Sequence, residues 1–224
     1  MPSYSGVFTL QAQMQAIAAS NWPSPPPTVI GQAFGGGFYA GQIGVSSVAT
    51  HYLIVGPIST AQSTLAWKNV GTATAGSDSD INGPQNTADM VADGNSTVYP
   101  AAHFCNNLST GGQTDWYMPA KNELEICYYN LKPTTTSNFT SSGINPNAVP
   151  ARASNYTAGD PAQTSATDFQ STGAEDFAAA FYWSSTEFSA AYGRGQNFSD
   201  GSQATSNGYK TNAYRVRAIR RVAV

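Results

Sequence analysis

The sequence predicts an α+β domain of short strands, two helices and long loops, preceded by a short helical arm. Three observations carry this prediction. Two stretches suit strands, the short apolar run Tyr52–Pro57 and, near the C-terminus, Tyr214–Val222, where basic and apolar residues alternate. Two central segments, opening at Pro100 and Pro119, repeat apolar residues at helical spacing. Aromatic-rich blocks at Asp115–Ala120 and Tyr182–Glu187 stand among long Gly/Ser/Thr/Asn stretches without periodicity. Large aromatics bury much area and fix a core, so a few anchors here support extensive loops.

The first element is a helix over 9–21, with Thr9 as N-cap and Leu10, Met14, Ile17 and Ala18 along one face. Asn21-Trp22-Pro23 stops it, and Pro25-Pro26-Pro27 continues as a stiff polyproline II linker. A lone helix of this length is marginal in water, so it needs a surface to dock on. Residues 1–28 are therefore read as an anchor or oligomerisation arm, with Leu10, Met14, Ile17 and Trp22 as the anchoring side chains. Residues 29–224 form the body.

In the body, Ile30–Ile43 reads as a strand with tight turns, Tyr52–Pro57 as a buried strand and Leu65–Lys68 as a third short one. Residues 71–99 are expected to be mostly loop. Pro100 opens a helix with Ala101, Phe104, Cys105 and Leu108 on one face, ended by Gly111-Gly112. Pro119 opens the next, with Leu124, Cys127, Tyr128 and Leu131 aligned and Pro133 as the stop. Residues 133–175 carry no periodicity and are read as a long functional or disordered loop. Strands return at Phe181–Ser185, around Phe198 and at Tyr214–Val222.

Composition narrows the function. Charged residues are 10% of the chain, against roughly 25% in ordinary soluble domains, and the net charge is −3. That leaves no electrostatic footprint for nucleic acid. The basic run Arg215–Arg221 alternates with apolar residues and reads as strand patterning. No run approaches the ~20 apolar residues that span a bilayer, so no membrane insertion is expected. Met1–Gly6 has neither the basic nor the apolar region of a secretory signal, so synthesis in a cytoplasm is expected. Cys105 and Cys127 are read as buried free thiols, with a bridge between them as the alternative.

Chemistry-bearing motifs are weak. Asp78, Asp80 and Asn82, with Gly83 and Asp89, match the ligand spacing of a calcium loop. The stretch lacks the closing glutamate and a preceding helix, so a turn is the reading and a calcium site the alternative. His51 and His103 have no partners at zinc spacing. Glu123, Glu125, Glu175, Asp176 and Glu187 are the carboxylates from which a glycosidase pair is drawn, and all five are read as surface charges. No catalytic residue, metal or cofactor is assigned.

Five ordered blocks carry a family resemblance: Asn82–Thr87, Ala101–Leu108, Asp115–Leu124, Tyr182–Glu187 and Arg215–Arg221. From about Gly71 to Val222 the chain resembles the DUF1566 (Lcl C-terminal-like) family. The resemblance implies a C-type-lectin-like fold: a small twisted antiparallel sheet, two flanking helices, paired terminal strands and long loops at 133–180 and 188–212. The calcium-sugar motifs of true C-type lectins and the catalytic cysteine pair of formylglycine-generating enzymes are absent, so neither activity carries over. The family occurs in bacterial surface proteins and in bacteriophage tail and virion proteins. Ser5–Gln11 with Trp22-Pro23 is similar to the opening of short phage appendage proteins.

The resulting expectation is a non-enzymatic bacteriophage virion protein, on tail or capsid, located in the particle. The arm would contact other virion proteins, the protein would be a homo-oligomer, and the body would touch a host cell-surface glycan or protein. The expected contact residues are Asn155, Tyr156, Tyr192, Arg194, Gln196, Asn197 and Tyr209. Tyr, Asn and Gly give contact area and adaptable hydrogen bonds at low entropic cost. Packing of Tyr192 and Phe198 beneath the loop is the competing reading. A capsid decoration or connector protein and a bacterial surface adhesin are the alternatives.

Overall fold

The computed structural model describes Thr9, Gln11, Met14, residues 25–204 and residues 208–224. Of the expected anchor, Gln11 and Met14 are helical and exposed, whereas Leu10, Ile17 and Trp22 lie outside the described residues.

The body is α+β with two sheets. The strands are β1 (Ala33–Phe34), β2 (Gly37–Val45), β3 (Val48–Val55), β4 (Gln62–Ala66), β5 (Phe181–Glu187), β6 (Gly193–Asn197), β7 (Gln203–Ala204), β8 (Ala213–Arg217) and β9 (Ile219–Ala223). The helices are α1 (Ile58–Ala61), α2 (Gly83–Asp93), α3 (Pro100–Asn106) and α4 (Lys121–Leu131), with a 3-10 turn at Thr167–Phe169. One sheet runs β1-β2-β3-β9, all antiparallel, and the other β4-β8-β5-β6-β7. In the second sheet β5 and β8 are parallel and meet at the single bridge Tyr182–Arg215.

The β2–β3 hairpin closes through Ser46 and Ser47, both at positive φ (50° and 63°), the twist that suits a two-residue hairpin turn. β3 then pairs with β9, Ile54 opposite Arg220, so the C-terminal strand completes the sheet begun at the start of the body. The single strand expected at Tyr214–Val222 is two strands in two sheets. Ala218 lies between them, its N–H donating to Ala61 O (2.9 Å) and its carbonyl accepting from Gly56 N (3.0 Å). Those bonds carry the chain from one sheet to the other.

Two further expectations change. One sheet was expected, and there are two. Residues 71–99 were expected to be mostly loop, yet α2 lies within them. Asn82 caps α2 by accepting from Gln85 N (3.3 Å), and Pro84 stands in its first turn. Its buried stripe is Gly83, Asn86, Thr87 and Met90, spaced correctly for a helix but mostly not aliphatic. α3 starts at Pro100 as expected and stops at Asn106, before the glycine pair. α4 starts two residues after Pro119, where the Ala120 N–H donates to Glu123 Oε2 (2.8 Å).

The core has two parts. Leu53, Leu124, Cys127, Tyr128, Tyr182 and Phe198 fill one, between the sheets and α4. Trp67, Met90, Trp116, Met118, Trp183 and Val216 fill the other, towards α2 and α3. Trp67 and Trp183 exchange indole bonds: Trp67 Nε1 donates to Ser184 O (2.9 Å) and Trp183 Nε1 to Leu65 O (3.0 Å). Each buried indole thus satisfies its donor on a backbone carbonyl within two residues of the other. The stretch 133–180 has little regular structure but is packed, with Tyr156, Phe169 and Phe177 in the core. Buried Lys132 gathers it by donating to Thr136 O (2.6 Å) and Asn138 Oδ1 (2.7 Å).

Candidate functional site

β5 and β6 form a hairpin whose tip spans Phe188–Tyr192. Tyr192 O accepts from the N–H groups of Phe188 and Ser189 (3.0 Å each), and Tyr192 N donates to Ser189 O (3.2 Å). The tip brings together three of the expected contact residues. The Tyr192 and Tyr209 rings lie 4.5 Å apart at 35°, and the Arg194 guanidinium sits 4.8 Å from the centre of the Phe188 ring. Tyr209 is 51% exposed and Phe188 44%, so both offer ring area to a partner. Phe188 was missed at the sequence level. Its signal was a large aromatic directly before Ser189-Ala190-Ala191, a turn too small to cover it.

The tip rests on a buried polar base. Glu187 forms an ion pair with Lys210, and its two oxygens accept from Thr74 N (3.1 Å each). Lys210 also donates to Thr72 O (2.8 Å) and lies 4.5 Å from the centre of the Trp67 ring. Burial pushes the Lys210 pKa down, and the Glu187 charge works against that shift. Beside the tip, Asp80 bridges Lys121 (3.2 Å) and Arg194 (3.8 Å). These partly exposed pairs orient side chains more than they stabilise the fold.

The other expected contact residues do not join this surface. Tyr156 and Gln196 are buried, which removes them as surface contacts. Gln196 Nε2 donates to Tyr156 OH (3.1 Å), and Tyr156 OH donates to Glu125 Oε1 (2.7 Å), so both belong to an internal network. Asn155 is exposed beside Tyr156. Asn197 is half-buried at the opposite end of β6, where it lines a cleft with Phe181 and Arg215.

The sequence model of the Lcl C-terminal domain matches residues 57–220, from the turn after β3 into β9. The chain belongs to the Lcl C-terminal domain family. No curated protein and no solved structure matches it.

Within this Lcl C-terminal domain four of the five carboxylates considered for acid–base chemistry, Glu123, Glu125, Glu175 and Glu187, are not free surface charges but form ion pairs. Glu123 accepts from Tyr117 OH (2.6 Å), Arg221 Nε (2.7 Å), Ala120 N (2.8 Å) and Gly83 N (3.2 Å). Glu125 is held by Arg152, Asn145 and Tyr156. Glu175 pairs with Arg217 (2.5 Å) and accepts from Ile58 N (2.8 Å). Asp176 accepts from Thr172 N (3.0 Å). Burial raises the pKa of Glu123 and Glu125, opposed by Arg221 and Arg152. Glu123, Glu125, Glu175 and Glu187 tie distant segments together, whereas Asp176 closes a local turn four residues long.

The basic run behaves as strand patterning. Arg217, Arg220 and Arg221 each meet a carboxylate across the fold. The calcium-like stretch is spent on structure as well: Asn82 caps α2, Asp80 faces two cations, and Asp78 is exposed. Among the described residues, no group of three or more His, Cys, Asp or Glu side chains is placed to hold a metal ion. Cys105 and Cys127 are free and buried.

Proposed function

We propose that this Lcl C-terminal domain is a non-enzymatic display module of a bacteriophage virion protein, with a C-type-lectin-like fold, that attaches to the host surface through its hairpin tip. One observation carries the reading: the exposed Phe188 and Tyr209 directly adjoin the buried Glu187–Lys210 pair. Aromatic contact area is thereby mounted on a rigid base, which lowers the ordering cost of binding. Tyr192 and Arg194 complete a small surface of the composition favoured by paratopes. Such a surface gives weak single contacts, and repeated display on a particle adds them by avidity. The pairing of β3 with C-terminal β9 and the long packed loops support the C-type-lectin-like fold.

The test has two parts. Mass spectrometry of purified phage particles should find the protein at a stoichiometric ratio to the capsid subunit. Labelled protein should bind host cells, and Phe188→Ala with Tyr209→Ala should remove that binding while the melting temperature holds. Absence from particles sinks the virion assignment. Presence in particles without cell binding favours a capsid decoration role.

A further inference from the structure

The chain has ten basic side chains, all within the described residues. Eight form ion pairs with carboxylates. Lys132 donates to backbone and amide oxygens. Arg215 is the tenth, and among the described residues its guanidinium has no hydrogen-bond or ion-pair partner. In a chain this sparing with charge, an unpaired half-buried guanidinium stands out.

Its surroundings are a cleft of about 450 Å³ lined by Thr64, Phe181, Asn197, Tyr214 and Arg215, with three alanines between them. The topology creates it. β5 and β8 run parallel and meet at the Tyr182–Arg215 bridge, which brings Phe181 and Tyr214 side by side at the lip of a notch. Thr64 stands opposite Arg215 on β4, and Asn197 opposite Phe181 on β6, so the neighbouring strands wall the notch. The Phe181 and Tyr214 rings stack at 5.4 Å and 22°, giving one side a flat apolar face.

We propose that this cleft is a binding site for a small monocarboxylate with a flat apolar face, its carboxylate held by Arg215 and its body resting against Phe181 and Tyr214. A guanidinium fork matches a carboxylate with two parallel hydrogen bonds. No second cation lines the cleft, so a single negative charge fits it better than a phosphate dianion. Thr64 and Asn197 add neutral hydrogen-bonding groups at the wall. Two sources share this chemistry: a free aromatic acid, and a sugar acid presented on a glycan. The site is separate from the hairpin tip and stands whether or not the tip binds cells.

The experiment is an amide-resolved NMR titration of the full chain with benzoate and with glucuronate. Benzyl alcohol and glucose serve as uncharged counterparts. The expected result is a dissociation constant on the order of 1 mM for at least one acid, with shifts centred on Phe181, Asn197 and Arg215. The counterparts should bind at least about tenfold more weakly. Arg215→Gln should weaken the acid by more than about tenfold, and Arg215→Lys, which keeps the charge and loses the fork, by less. Tighter benzoate binding names a free aromatic acid as the source, and tighter glucuronate binding a sugar acid. No shifts up to about 50 mM, shifts elsewhere, or equal affinity in Arg215→Gln would overturn the proposal.

Discussion

Glu187 and Lys210 meet in a buried ion pair at the foot of the β5–β6 hairpin, each next in sequence to an exposed aromatic, Phe188 and Tyr209. The pair therefore sets the distance between two chain segments that contribute the tip. Lys210 is wholly buried and Glu187 nearly so, which makes the loss of one partner more damaging than the loss of both. Lys210→Met should destabilise by about 3–5 kcal/mol, since it leaves the Glu187 carboxylate nearly buried without its cation, held by the Thr74 N–H. Adding Glu187→Gln should recover part of that loss. Urea denaturation of the two single variants and the double gives the coupling directly, and simple additivity would show that the pair does not act as a unit.

Cys105 and Cys127 are fully buried, and burial pushes both thiols well above their ordinary pKa. Thiolate is the reactive form, so both should be inert in the native protein. A chromogenic disulfide reagent should detect no thiol under native conditions and two in strong guanidinium chloride. Rapid labelling of the folded protein would mean that α3 or α4 opens far more readily than their packing implies.

The helices that the sequence revealed and the one it hid differ in what they bury. α3 buries Ala101 and Cys105 with Phe104 packed partly buried beside them, and α4 buries Leu124, Cys127, Tyr128 and Leu131, all at helical spacing, so their existence was plain. α2 buries Asn86 and Thr87, whose side chains bond to Ser79 O (2.7 Å) and Gly83 O (2.7 Å), and apolar periodicity cannot register such a stripe. The carboxylates were misplaced for a related reason. Glu123 looks exposed until Arg221, 98 positions later, is brought against it, and Glu125 until Arg152 arrives from 27 positions away. Tyr156 and Gln196 were chosen as contacts on composition, but their hydroxyl and amide serve the Glu125 network instead. Tyr192, Arg194 and Tyr209 share that composition, and they lie half-buried or exposed around the short β5–β6 turn.

Gly143 places a second constraint on the long segment after α4. Its φ is +114°, and a Cβ there would lie 2.3 Å from Tyr156 Cδ1. The Tyr156 ring cannot swing aside without losing its bond to Glu125 (2.7 Å). Gly143→Ala should therefore cost about 2–3 kcal/mol, from backbone strain and overpacking together. Gly159, with open space around it, is the control, and Gly159→Ala should stay within about 0.5 kcal/mol of the parent. Equal urea midpoints for the two variants would refute the account of Gly143.

Asp115 and Arg220 form a two-pronged pair, Nε to Oδ1 at 2.6 Å and a terminal nitrogen to Oδ2 at 2.8 Å, which ties the Trp116 segment to β9. The Arg220 guanidinium holds the Asp115 carboxyl below its ordinary pKa. A folded value below the unfolded one means that the unfolded chain binds the proton first as pH falls. The stabilisation is therefore complete above the unfolded value of about 3.9 and is lost as pH falls through the folded value. Its size is limited because the Asp115 side chain is 56% exposed and solvent screens the pair, so about 1 kcal/mol is the ceiling. Asp115→Asn should lower the urea midpoint at pH 7, and the gap from the parent should close in strong acid. A gap that stays constant or widens on acidification would mean that Arg220 does not depend on the Asp115 charge, leaving its bond to Gly35 O (2.8 Å) as the tie that holds it.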